Sequence, residues 1–407
     1  MIGQGSNKRP ASQLFRRIAK KALRAVAIEK APTANDFRQI GERVEEAYPA
    51  GSGSPRILLV TSNGAGLGHL TRVNAISGHL GGNDLIYTMS SAYRRLHRES
   101  AKTIYFPSYG DLGMAGGSWN TIMKAHFQSV FEAFSPDAVV FDGTFVYRGL
   151  VQTVKNSSCP LIWLQRGCWR DEVDKNSEQR HHAAKYVDHV IIPGDYGCAE
   201  SVDVGPGIDI DYVAPIVSGN QDRSLSCAEA RSKLGLPENG NFFLIQLGAG
   251  VINDTRDYLS TALEAVRSLG EEWEPVVVQN PLSPSAVSGC RSVEAFPLID
   301  YLAAFDAGVF AGGYNSCQEA VARRLPAVFV PNKATKTDDQ VRRVSGLEAR
   351  GLGLLASNPK ELYSQIQRLQ SRKFRETIRA AQDGMKPASG AAEAASIIFK
   401  IANNNDK

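Results

Sequence analysis

Ala307-Gly-Val-Phe-Ala-Gly-Gly-Tyr-Asn-Ser-Cys-Gln-Glu319 is the stretch on which the reading of this chain turns. Residues 308–311 form a short apolar run of the buried-strand kind, Gly312-Gly313 is a turn, and from Tyr314 the spacing becomes helical. Strand, glycine turn and helix start together make the arrangement by which α/β proteins bind phosphate. Free backbone N–H groups and the positive end of the helix dipole converge there. Asn315 and Ser316 stand at that helix start and add side-chain donors. Glu319 lies at i+4 from Asn315 and so on the same face. A carboxylate repels phosphate but accepts the two hydroxyls of a ribose one turn along. The spacing thus fits a nucleotide laid phosphate-first along the helix. Ser316-Cys-Gln-Glu319 is also a capping box, in which Ser and Glu satisfy a helix's own first amides. The residues alone leave both readings open.

Working outward, 407 residues are too many for one ordinary domain, and two are expected. With 43% hydrophobic and 22% charged residues the composition is that of a soluble globular protein. The six cysteines (159, 168, 198, 227, 290 and 317) include no Cys-x-x-Cys pair, which argues for a reduced cytoplasmic chain with neither a zinc site nor a disulfide framework. No apolar run reaches the ~18 residues of a membrane span, and no signal-peptide core follows the first basic residues. Residues 1–30 hold eight Lys/Arg against Glu29, a net +7 in a chain of net +4, so the remainder is net −3. A mildly acidic body disfavours a broad nucleic-acid surface.

Within the arm, Leu14, Phe15, Ile18, Ala22, Leu23 and Val26 fall at helix spacing, and Arg16, Arg17, Lys20, Lys21 and Arg24 fill the opposite face. Such a basic amphipathic helix suits an anionic membrane surface, and equally a docking site on the protein's own surface. A second short helix over 36–48 and a Gly/Ser/Pro linker complete an arm spanning 1–54. From residue 55 apolar strands alternate with helices, which predicts an α/β protein with parallel sheets covered on both faces. One domain spans 55–215 and a second 216–385, with a crossing segment at 211–223 between them. Residues 386–407 are helical.

Three loops carry candidate chemistry. Gly64-Ala-Gly66-Leu-Gly68 follows the first strand but lacks the Rossmann dinucleotide spacing, and the second strand ends in Ser90-Ser91 where an acid is needed. His69 starts the next helix and suits a general base acting on a sugar hydroxyl; capping backbone is the plainer role. Asp142 ends the strand Ala138-Val-Val-Phe-Asp on the same sheet edge and can fix the imidazole's tautomer or cap a helix. Arg72, one turn beyond His69, can meet an anionic acceptor or phosphate, or lie in solvent. Leu247-Gly248-Ala249-Gly250 opens the second domain as a small-residue turn. Trp163–Trp169, with Arg166 inside it and Arg170 beyond, contacts an acceptor or simply packs. Asp209-Ile-Asp211 mimics a metal-binding Asp-x-Asp but is placed at the interdomain crossing, and adjacent His181-His182 diverge on a helix. No metal and no cofactor are expected.

Gly-Tyr-Asn-Ser-x-x-Glu, the following Leu325-Pro326, the strand at 327–330, Pro331 and Asp339-Gln340 together resemble the donor signature of GT-B glycosyltransferases. These include the peptidoglycan N-acetylglucosaminyltransferase and the UDP-glycosyltransferases. The resemblance covers most of the chain beyond about residue 55. It implies two Rossmann-like domains facing a cleft, with the 386–407 helix crossing back to the first. Gly312, Gly313, Asn315 and Ser316 would hold the pyrophosphate with Gly248, Ala249 and Gly250. Glu319 would hold the ribose, Phe296 and Leu298 would bracket the base through backbone, and Asp339 and Gln340 would meet the sugar. Gly66 and Gly68 resemble the first loop of such enzymes, and Asp142 the carboxylate that orients their histidine. Arg72 and Arg166 fall to the acceptor side. Two departures stand out: Ala311 replaces a phosphate-binding His, and the segment between Pro331 and Asp339 is longer and basic, with Lys333 and Lys336.

The resemblance implies an inverting, metal-independent transfer of a hexose or N-acetylhexosamine from a UDP-sugar to a glycan or lipid-linked acceptor, in surface polysaccharide or glycoconjugate synthesis. The basic arm would meet the inner face of an anionic membrane. A UDP-sugar hydrolase or epimerase on the same fold, suggested by Gly-x-Gly-His-x-x-Arg, is a rival. A non-catalytic nucleotide-sugar sensor is another.

Overall fold

A computed structural model describes residues 31–49, 53–62, 68–91, 93, 103–198, 202–219, 225–248, 256–279 and 289–404. The basic helix expected at 12–26 lies outside these residues, as do Gly66, Ala249 and Gly250.

The long apolar runs fold as two parallel sheets. The first comprises β1 (Ile57–Thr61), β2 (Asp84–Thr88), β3 (Thr103–Tyr105), β4 (Ala138–Asp142), β5 (Leu161–Leu164), β6 (His189–Pro193) and β7 (Asp209–Val213). Their spatial order is β3-β2-β1-β4-β5-β6-β7. The second comprises β8 (Asn241–Gln246), β9 (Trp273–Val278), β10 (Arg291–Val293), β11 (Ala307–Ala311), β12 (Ala327–Val330) and β13 (Leu354–Leu355), ordered β10-β9-β8-β11-β12-β13. Each sheet therefore reverses its winding once, between β1 and β4 in the first and between β8 and β11 in the second. Loops leaving the carboxyl ends of such a pair part to opposite faces and open a crevice. His69 follows β1 and Asp142 ends β4; Gly248 follows β8 and the Gly312-Gly313 turn follows β11. Both candidate sites thus stand on switch points.

The strands read as unbroken apolar runs because both faces are covered. In β1, Leu58 and Val60 pack with Met123 and Phe127 of helix α3 (Gly116–Phe134) on one face. Ile57 and Leu59 pack with Leu70 and Val73 of helix α2 (Gly68–Ser77) on the other. Each such side chain contributes about 1.5–3 kcal/mol on leaving water. Helix α1 (Arg38–Ala47) lies along α3, its Gly41 so close that an added Cβ would stand 3.1 Å from Ser129 Oγ. The residues after the expected basic helix are in this way packed into the first domain's core, through Val44.

The second domain carries helix α4 (Tyr314–Ala322) after β11 and helix α5 (Gln340–Ala349) after β12. The last helix, α6 (Gly390–Asn404), leaves it and covers the first sheet, where Ala394 and Ile398 join the core of Ile57 and Leu59. Outgoing and returning crossings run side by side: Ala214 N donates to Glu393 Oε2 at 2.8 Å, and Ile216 bridges Ser389. Gly390 is demanded there, since a Cβ would fall 1.8 Å from Ala214 O.

One placement differs from the sequence reading. Asp209-Ile-Asp211 belongs to the edge strand β7, registered His189↔Asp209 against β6, and the crossing starts only after Val213. An edge strand with one wet side alternates in polarity much as a linker does, and period alone does not separate the two.

Candidate active site

The two switch points face each other. On the first, His69 occupies the second position of α2, and its Nδ1 lies 2.9 Å from Asp142 Oδ1. Asp142 is fixed as the last residue of β4, its carbonyl accepting from Ser62 N at 2.9 Å. Arg72, one turn along α2, donates from Nη2 to the same Asp142 oxygen at 2.7 Å and stands 2.9 Å from His69 Nδ1. Nδ1 cannot serve both neighbours, since a carboxylate only accepts and a guanidinium only donates; in the tautomer whose Nδ1–H donates to Asp142, Nε2 carries the lone pair and the Arg72 approach is a contact, not a hydrogen bond. Arg72 is 2% exposed, which removes the solvated-helix reading of that residue.

Electrostatics favour the neutral imidazole. Burial pushes His69 below its ordinary 6.5; Asp142 opposes this, while Arg72 and Arg166 add to it. Burial alone would raise Asp142, but Arg72 and then His69 outweigh it and hold the carboxyl below its usual range. The pair at neutral pH is an unprotonated imidazole against a carboxylate, the state a general base needs.

On the second switch point, α4 begins at Tyr314 with Gly313 as its N-cap, and no side chain caps it. Ser316 is the third helical residue, so it is no N-cap. Glu319 Oε1 instead accepts from Ser218 Oγ of the crossing segment at 2.6 Å. The capping box does not form, which leaves the helix's first amides for something else. Gly312 is tightly placed: a Cβ there would be 2.8 Å from Val344 Cγ2 and 3.0 Å from Pro331 Cα, whereas one on Gly313 would meet open space. Gly248 sits beside Ala311 with φ +83, a conformation that glycine adopts freely. Glu319 is pushed up to about 7, chiefly by burial, with Ser218 pulling it down, Asp300 up and Arg323 down.

Asn315 spans the cleft, its Oδ1 3.4 Å from Arg72 Nη1 and its Nδ2 3.3 Å from Gly68 O. His69, Asp142, Arg72 and the start of α4 thereby form one connected group.

The remaining expected donor contacts divide. Asp339 caps α5 by accepting from Arg342 N at 3.0 Å, and Gln340 Oε1 accepts from Asn332 N at 2.9 Å, so in this structure both hold the basic 332–339 loop. Leu298 is buried in the second core, leaving only its backbone for a base, while Phe296 is exposed. The aromatic-basic loop packs on the second domain: Trp169 bridges Asp338, Arg170 N donates to Thr337 O at 2.8 Å, and Arg166 Nη1 lies 3.4 Å from Asp338 Oδ1.

Several residues at the junction carried no sequence signal. Arg343, 0% exposed, donates to Asp195 Oδ2 at 2.6 Å and bidentately to Asp338 at 2.7 and 3.0 Å. Gln318 of α4 donates to Asp195 and accepts from Tyr196 N, both at 2.9 Å. Tyr314 donates to Gly194 O at 2.8 Å and accepts from Ile216 N at 3.0 Å.

Two doubly wound parallel domains, joined across their switch points and tied by a returning C-terminal helix, define the GT-B fold of glycosyltransferases, and this chain has that fold. Comparison with known proteins agrees. The chain is 26% identical over 275 residues to the UDP-N-acetylglucosamine–N-acetylmuramyl-(pentapeptide) pyrophosphoryl-undecaprenol N-acetylglucosamine transferase of Symbiobacterium thermophilum, covering 63% of this chain and 67% of that protein. A UDP-glucosyltransferase from Polygonum tinctorium, capable of glucosylating indoxyl, superposes with TM-score 0.60 at 14% identity over 87% of this chain and 100% of its own. MurG of Acinetobacter baumannii superposes with TM-score 0.55 at 14% identity, over 85% of this chain and 100% of its own. No family model matches the chain.

Proposed function

We propose that this chain is an inverting glycosyltransferase that moves a hexose or N-acetylhexosamine from a UDP-sugar to a glycan or lipid-linked acceptor. The observation that carries the reading is the His69–Asp142 pair, 2.9 Å apart on one switch point, facing the uncapped start of α4 on the other. The sugar nucleotide would lie along α4, diphosphate at the Gly313–Asn315–Ser316 end and ribose hydroxyls on Glu319. The acceptor hydroxyl would enter from the first domain. Its oxygen forms the new bond to the anomeric carbon while its proton passes to His69 Nε2. The bond from that carbon to the diphosphate oxygen breaks, and its electron pair leaves with UDP. Attack from the face opposite the leaving group inverts the centre. Asp142 stabilises the imidazolium so formed.

The similarity to a transferase whose name specifies UDP-N-acetylglucosamine and an undecaprenol-linked acceptor supports a UDP-sugar donor and a lipid-linked acceptor here. No helix among the described residues is long and apolar enough to cross a membrane. We take residues 1–30 as the segment that brings the enzyme to the cytoplasmic face of an anionic membrane.

A panel of nucleotide sugars tested by thermal shift identifies the donor, because a ligand that binds only the folded state raises its stability by mass action. The stabilising donor is then incubated with and without acceptor candidates. Transfer product only when an acceptor is present supports the proposal. Free sugar released at the same rate without one would make the chain a hydrolase, and binding without turnover would make it a sensor.

A further inference from the structure

We propose that Arg72 and Arg166, both carried by the first domain, close over the start of α4 and bind the diphosphate of the donor, so that the acceptor domain supplies the charge that holds the leaving group. The inference rests on the donor site described above and deepens it. Its basis is a cluster of cations around one ring. The guanidinium carbons of Arg72, Arg166 and Arg343 stand 5.3, 5.9 and 5.8 Å from the ring centroid of Tyr314, the first residue of α4. Tyr314 is held in place through its hydroxyl at both Gly194 and Ile216.

The three arginines are not equally satisfied. Arg343 is consumed by Asp195 and by both oxygens of Asp338. Arg166, by contrast, makes among the described residues a single side-chain hydrogen bond, long at 3.4 Å, to the Asp338 oxygen that Arg343 already holds at 2.7 Å. Arg72 has Asp142 on Nη2, but among the described residues its Nε is buried without a hydrogen-bond partner and its Nη1 reaches only Asn315 Oδ1 at 3.4 Å. Two guanidiniums of the first domain thus converge, with donors to spare, on a helix start whose own amides are uncapped. Arginine's planar fork matches phosphate oxygens pairwise, and charged hydrogen bonds of this kind are about twice as strong as neutral ones. As the anomeric C–O bond breaks and its electrons pass to the diphosphate, these contacts strengthen in the transition state. The geometry also explains why Asn315 touches Arg72: the donor helix and the acceptor domain's cation meet where the diphosphate would sit.

The test compares uridine, UMP and UDP by calorimetric titration on the full chain, on Arg166→Met and on Arg166→Lys. Loss of a hydrogen bond to a charged group predicts roughly a tenfold to hundredfold weaker UDP affinity in Arg166→Met, with uridine affinity unchanged and partial recovery in Arg166→Lys. Arg72→Met should show the same selective loss; if it fails to fold, Arg166 decides alone. Wild-type protein that binds UDP no better than uridine would overturn the donor site itself. Wild type that prefers UDP, with Arg166→Met retaining that preference in full, would overturn the arginine clamp and leave the donor site standing. Equal loss of uridine and UDP in Arg166→Met would also overturn it, since the residue would then only support the fold.

Discussion

Glu319 offers a prediction in which the ligand's own phosphates play no part. Its carboxyl is pushed up to about 7, so between pH 6 and pH 8 its ionised fraction rises from about one-tenth to about nine-tenths. Ribose hydroxyls donate better to a carboxylate than to a carboxylic acid, so nucleoside binding favours the ionised form and lowers this pKa. Affinity must then climb with pH through about 7 and level off above it. Were only the ionised form competent, the rise from pH 6 to pH 8 would be about tenfold. Uridine is the right probe, because UDP titrates its own phosphate in the same range. Titration of uridine across that range, for wild type and for Glu319→Gln, reads the effect directly. In the variant the slope should vanish. The linked stability effect has the opposite sign. A carboxyl whose folded pKa is raised above its unfolded 4.5 contributes stability below 4.5 that is lost as pH rises through about 7. Glu319→Gln should therefore melt with less pH dependence over that interval. A wild-type uridine affinity that is flat from pH 6 to pH 8, or a slope that survives in Glu319→Gln, would refute the placement of the ribose on Glu319.

Three further outcomes follow from packing, charge and the N-terminal arm. Gly312→Ala drives a Cβ to 2.8 Å from Val344 and 3.0 Å from Pro331, and chemical denaturation should show a loss of about 1–3 kcal/mol. Arg343→Met takes the shared cation from Asp195 and Asp338, whose side chains are 6% and 14% exposed, and leaves Asp338 the 3.4 Å contact to Arg166; denaturation should record a loss of up to about 3–5 kcal/mol, far above what a surface arginine costs. Removing residues 1–30, with their net +7, should abolish flotation with anionic but not neutral liposomes and leave transfer to a soluble acceptor unchanged. At about 1 kcal/mol per basic residue near such a surface, added salt should release the full-length chain.

How much of this was legible in the sequence depended on distance along the chain. The strand, turn and helix around Gly312-Gly313 were readable because each is a local pattern, and the helix begins at Tyr314 as the spacing indicates. The pairing of His69 with Asp142, 73 residues apart, was also accessible, because parallel βα order places both on one sheet edge. What the sequence left open was which of two local chemistries Ser316 and Glu319 serve. The structure answers the capping half alone: the helix starts at Tyr314, so Ser316 lies inside it, and Glu319 accepts from Ser218, 101 residues away. The buried Arg343–Asp195 pair spans 148 residues and has no periodic signature at all. Asp339 and Gln340 illustrate the converse: a motif read as sugar-binding has, in this structure, its side chains engaged in a helix cap and a loop.

The most direct test of the account is the rate of transfer by His69→Ala, measured together with its affinity for UDP. A base beside a barely ionised hydroxyl contributes typically 10²–10⁴-fold, so transfer should slow by that order. UDP affinity should stay within about twofold, because on the proposed reading α4 and the arginines would hold the donor. In wild type the acidic limb of the rate should lie below the ordinary histidine value of 6.5, since burial and Arg72 depress His69. Near-normal transfer by a folded His69→Ala protein would contradict the mechanism. A normal rate with UDP affinity lost would make His69 a phosphate ligand and place the base elsewhere in the first domain.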